Sequence, residues 1–84
     1  MEWRITFFVD DAERTPTGWL VRGEVGLGPP AVGDEFTFVH HQDVELEEQL
    51  TLRVERLNGP ELTVWASQDV VLRKGDILGG EVER

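Results

Sequence analysis

Apolar and polar side chains alternate one by one through most of this chain. A two-residue period marks a strand with one buried face, because successive Cβ atoms point to opposite sides of a sheet. Trp3, Ile5, Phe7 and Val9 share one face and Glu2, Arg4, Thr6 and Phe8 the other, which predicts a first strand stopping at an acidic loop from Asp10 to Gly18. Trp19, Val21, Gly23 and Val25, set against Leu20, Arg22 and Glu24, predict a second. Phe36 and Phe38 mark a third strand, Leu50, Leu52 and Val54 a fourth, and Leu62, Val64 and Ala66 a fifth. Asn58-Gly59-Pro60 between the last two is a hairpin signal, since Asn and Gly tolerate positive φ and Pro is acceptable at the start of a strand. A last strand, Ile77 to Val82, comes after a Gly75-Asp76 turn, with Val70 to Leu72 as a possible intervening segment. Asp43 to Leu50 lacks an apolar stripe at helical spacing and reads as an acidic connection into the fourth strand. The sequence contains no internal repeat of useful length.

Six short strands joined by close turns favour a sheet that curls and closes, because closure removes the edges that would otherwise pair with other chains. The expected fold is all-β, a small barrel formed by residues 1–84 as one domain, since 84 residues cannot divide their apolar surface between two cores. The expected core is Ile5, Phe7, Trp19, Val21, Val25, Phe36, Phe38, Leu50, Leu52, Val54, Leu62, Val64 and Ile77.

Composition narrows the function. Without cysteine there is no disulfide framework, thiolate zinc site or cysteine nucleophile. Seventeen acidic against eight basic residues leave a net charge of −9, which repels phosphate backbones. The one adjacent basic pair is Arg73-Lys74, and Arg53 and Arg56 lie on a separate segment, so no basic patch offsets that charge. Nucleic-acid binding is therefore disfavoured. No apolar run approaches the roughly 20 residues of a membrane span, and the acidic start at Glu2 does not resemble a signal peptide. The expectation is a soluble cytoplasmic protein.

Gly26-Leu27-Gly28-Pro29-Pro30-Ala31 matches the G-x-G-x-x-G/A dinucleotide fingerprint letter for letter. A working fingerprint needs a helix directly after the glycines to hold the pyrophosphate. Here the chain continues from Ala31 into Val32-Gly33-Asp34-Glu35-Phe36, a turn and then strand alternation. The segment is read as a bend, with no cofactor expected.

As strand, loop and turn, the same region has a different likeness. Gly23-Glu24-Val25, then Gly28, then Val32-Gly33-Asp34-Glu35-Phe36, with Arg73-Lys74-Gly75-Asp76-Ile77-Leu78 further on, resembles the second domain of elongation factor Tu and related translational GTPases. The likeness spans roughly residues 3 to 82 and rests on two turn motifs and strand order. It implies a closed six-stranded Greek-key barrel, here without the GTPase domain. In each Gly-Asp pair the glycine permits a tight turn and the aspartate can bond nearby backbone amides. In that family the domain helps hold the acceptor end of charged transfer RNA and packs against the GTPase domain. No RNA-contacting position of the family is matched to a residue of this chain.

Two constellations carry candidate chemistry. His40-His41-Gln42-Asp43 invites a metal reading, in which His41, Asp43 and Glu45 share one side of an extended chain and meet one ion; the competing reading is a solvated strand end. On the outer wall, Trp65, Phe8 and Leu20 point away from the core, with Arg53 and Arg73 as a polar rim, and an exposed aromatic can mark a contact surface. The competing reading there is that the segment after His41 folds over Trp65. The expected function is a non-catalytic binding or interaction module without cofactor or metal, its partner a protein or a second copy. The alternatives are an accessory factor touching transfer RNA or the ribosome, and a small metal-dependent enzyme using His40 and His41.

Overall fold

A computed structural model describes residues 2–83. It contains six strands: β1 (Glu2–Arg14), β2 (Gly18–Val25), β3 (Glu35–His41), β4 (Leu46–Asn58), β5 (Glu61–Ala66) and β6 (Ile77–Glu83). They close into a barrel in the order β1-β2-β5-β4-β3-β6, every pairing antiparallel. β3, β4 and β5 succeed one another around the wall and β6 returns to lie beside β3, which is a Greek-key connection. No helix begins after Ala31, and the Gly26 to Ala31 segment is a loop.

The barrel repeats itself about an approximate two-fold. β1, β2 and β3 correspond to β4, β5 and β6. The register Phe7↔Leu78 between β1 and β6 has its counterpart in Leu52↔Phe36 between β4 and β3. Likewise Ala12↔Val21 matches Leu57↔Leu62, and the register shift at Val9/Asp11 matches that at Val54/Arg56. Each half enters its last strand through the same turn. Gly33 and Gly75 have φ 94° and 95°. Asp34 Oδ2 accepts from the Ala31 N–H at 2.8 Å, and Asp76 Oδ2 from the Arg73 N–H at 2.8 Å. The Gly33 N–H donates to the Val54 carbonyl and the Gly75 N–H to the Val9 carbonyl, both at 2.8 Å. Ahead of each turn a long connection crosses one end of the barrel: residues 26–34 bury Pro30, and residues 67–76 bury Val70 and Leu72.

Several expectations need correction. β1 does not stop at Asp10 but continues to Arg14, because the shift at Val9/Asp11 lets the acidic stretch stay paired with β2 and turns Ala12 against the core. Val25 is exposed at the barrel end, Phe38 is half-buried outside, and Ile77 gives its inward place to Leu78. Val9, Val39, Val70, Leu72, Leu78 and Val82 complete the core. Residues 70–72 form no strand. The side chain of Trp3, placed by alternation on one face with Ile5, Phe7 and Val9, lies outside the described residues. The Asn58-Gly59-Pro60 hairpin, with Gly59 at φ 60°, joins β4 and β5 as expected.

Two buried glycines mark where β6 presses on β3. A Cβ on Gly80 would meet backbone, 2.6 Å from the Glu35 carbonyl oxygen and 2.9 Å from Phe36 Cα, whereas one on Gly79 would meet the Phe38 ring. A half-buried ring can move and a paired backbone cannot. Gly80→Ala is therefore expected to cost about 3 kcal/mol and Gly79→Ala about 1 kcal/mol. Urea midpoints compare the two, and equal losses would contradict the assigned contacts.

Candidate interaction site

The five residues expected to form one contact surface are distributed over the barrel. Trp65 of β5 stands opposite Gly18 of β2 and Arg53 of β4, and Leu20 stands opposite Thr63 on the same outer wall. The Arg53 guanidinium carbon lies 4.8 Å from the centroid of the Trp65 ring, an arrangement in which the cation meets the negative face of the indole. Arg53 Nε also donates to Glu35 at 3.3 Å. Trp65 is thus half-buried beneath an arginine, and the segment after His41 turns elsewhere. Phe8, 43% exposed, sits on β1 with its ring in the space a side chain at Gly26 would take. Arg73 belongs to the opposite end of β3 from Arg53, paired with Asp43 at 3.6 Å.

That end holds a different constellation. The β3–β4 hairpin turns through residues 42–45, with Glu45 at φ 51°, and faces the connection 67–76. Between them lies an open concavity of about 300 Å³. Val44 (63% exposed), Leu46 (54%) and Val71 (50%) line it with apolar surface. Asp43, Glu48, Arg73 and His41 supply its polar lining. Val71 is exposed because Val70 and Leu72, its neighbours on an extended segment, are used to plug the barrel.

His41 forms the floor. The irregularity between Phe36 and Phe38 shifts the alternation of β3, so that Val39 and His41 face inward. The His41 Nδ1 lies 3.0 Å from Asp76 Oδ2 and its Nε2 lies 2.7 Å from Glu48 Oε2. Burial works against the imidazolium, but the hydrogen bond to Glu48 and the charge and hydrogen bond of Asp76 outweigh it, and the pKa is raised above 6.5. His41 and Asp43, grouped by alternation, are not brought to one point. Asp43 turns to Arg73, and the two carboxylates that His41 does meet take opposite edges of its ring. No group of three or more His, Asp or Glu side chains placed to hold a metal ion occurs among the described residues.

Sequence reasoning found His41 and Arg73 but missed their setting. Glu48 and Asp76 are 7 and 35 residues from His41, so only the closed topology brings them together. At the other end of the barrel, Val25, Pro29, Leu57 and Pro60 line a second concavity of about 270 Å³ with no charged side chain. Comparison of the chain with protein families, with curated proteins and with solved structures finds no match.

Proposed function

We propose that this barrel is a non-catalytic protein-binding module, and that its partner docks at the hairpin end. The observation that carries this reading is the convergence of Val44, Leu46 and Val71 on one concavity from two segments remote in sequence. Isolated exposed apolar residues are ordinary, but a group of them within a charged rim has the anatomy of a contact site. The net charge of −9 opposes self-association and favours a foreign partner with a cationic rim. We also propose that the fold subtype is that of the elongation factor Tu second domain. The Greek-key order and the Gly-Asp turn before both β3 and β6 support it.

The test captures partners on immobilised protein and compares two variants. Leu46→Asp, placing a charge at a half-exposed position, should leave the circular dichroism spectrum unchanged and weaken the captured complex about 30-fold, the effect of a 2 kcal/mol hot spot. Trp65→Ala tests the wall formed by Trp65, Leu20 and Arg53 and should leave binding in place. The reverse result, loss with Trp65→Ala and none with Leu46→Asp, would move the contact to that wall. A complex indifferent to both variants would remove the reading.

A further inference from the structure

The concavity at the hairpin end is bounded by two segments with no strand pairing between them: the β3–β4 hairpin on one side and the connection 67–76 on the other. His41 touches both. Its Nε2 meets Glu48 of β4 and its Nδ1 meets Asp76, the residue that closes the 73–76 turn. A neutral imidazole has one N–H and one lone pair, so in either tautomer one ring nitrogen would aim a lone pair at a carboxylate oxygen. The imidazolium donates to both. We infer that protonated His41 is a pin that holds the two walls of the concavity together, and that losing its proton frees the 67–76 wall from the hairpin.

The groups facing the pin are consistent with this arrangement. β4 presents Glu48, the entry to β6 presents Asp76, the hairpin turn presents Asp43 and the connection presents Arg73. Arg73 and Asp43 neutralise one another across the mouth at 3.6 Å, half exposed and screened by solvent. His41 is therefore the buried bridge between the walls, while Arg73–Asp43 is an outer and weaker one.

The direction with pH comes from linkage. The folded-state pKa is raised above 6.5, so the stabilisation by the pin is fully present below 6.5 and is lost as pH rises through the folded value. Loosening the 67–76 wall against the hairpin shifts Val71 relative to Val44 and Leu46, while Val70 and Leu72 stay in the core and Gly75 stays bonded to Val9. The consequence for binding rests on the protein-binding reading above; the pin itself does not.

The test is made on the free chain, so it stands apart from the identity of any partner. Imidazole resonances of His41 are tracked by NMR between pH 5 and 9, with amide signals of residues 70–75 in the same spectra. The expected result is a His41 midpoint above 6.5, with the Val71 and Arg73 amides shifting at that midpoint and exchanging roughly tenfold faster beyond it. Glu48→Gln keeps the ring and removes one charge, and should lower the His41 midpoint. His41→Gln should give the fast-exchanging wall at every pH. A midpoint at or below 6.5, or amides of 70–75 indifferent to it, would overturn the pin. If the amides move with the midpoint but a captured partner does not, the pin holds and the docking reading falls.

Discussion

Asp76→Ala should destabilise the protein by about 3 to 5 kcal/mol, while Asp34→Ala in the equivalent turn should cost about 1 kcal/mol. The two aspartates have the same local task. Each accepts from the N–H three residues back at 2.8 Å, and each donates its own N–H to that residue's carbonyl, at 3.0 and 3.1 Å. What differs is the surroundings. Asp76 is 1% exposed and its Oδ2 also meets His41, whereas Asp34 lies at a half-exposed position where water can take over a lost bond. Removing Asp76 leaves the Arg73 N–H without its acceptor and the His41 imidazolium buried with Glu48 alone. Breaking one partner of a buried charge pair is costly because the other charge keeps its desolvation penalty.

Against a total stability of about 4 to 13 kcal/mol for a domain of this size, such a loss can unfold a large fraction of the molecules. Urea denaturation at pH 6 separates the two variants. Asp76→Asn refines the comparison, because its carbonyl can still accept from the Arg73 N–H while its charge is gone. The gap between wild type and Asp76→Ala should narrow as pH rises through the folded pKa of His41, since the neutral ring no longer needs a counter-charge. Equal losses for Asp34→Ala and Asp76→Ala at pH 6 would mean that both residues act only as turn caps.

Much of the barrel was legible in the sequence because its strands obey local rules. Alternation located all six, and the Asn58-Gly59-Pro60 turn fixed the antiparallel pairing of β4 with β5. Both Gly-Asp pairs were readable as turns, since positive φ at glycine and a side-chain acceptor for a nearby N–H are properties of a few adjacent residues. Two of the errors lie where register slips, apart from the start of β4 at Leu46 within the expected acidic connection and the inward turn of Leu78 in place of Ile77. A shift at Val9/Asp11 extended β1 past its expected end, and the one between Phe36 and Phe38 displaced the inner face of β3 by one residue. A displaced parity reverses every side chain beyond it, so a local irregularity produces a run of wrong assignments.

The two-fold was invisible for another reason. Its halves preserve burial rather than identity: Phe7 answers to Leu52, Val21 to Leu62 and Phe36 to Leu78. Any large apolar residue can fill such a place if the total volume is kept, so little letter-by-letter similarity survives. The candidate site was half legible. His41, Asp43 and Arg73 stood out as residue types, but alternation grouped His41 with Asp43 and Glu45. Only closure delivers Glu48 and Asp76 to the imidazole.

Phe36 and Phe38 provide the sharpest measurement of that register. Simple alternation makes them equivalent core residues, which would lose equally on truncation. In the barrel Phe36 is fully buried among Leu52 and its neighbours, while Phe38 lies half-buried on the outside across the bare surface of Gly79. Phe36→Ala should therefore cost about 3 to 5 kcal/mol, the transfer term plus a cavity that a closed wall cannot collapse to fill. Phe38→Ala removes a partly hydrated ring and should cost about 1 kcal/mol. At 4 to 8 °C per kcal/mol for a small domain, Phe38→Ala should lower Tm by roughly 5 °C and Phe36→Ala by roughly 20 °C. Where Phe36→Ala proves too unstable to purify, Phe36→Leu gives the same ordering on a smaller scale. A larger loss at position 38 than at 36 would place the wrong ring inside, and with it the inward direction of Val39 and His41 on which the pin depends.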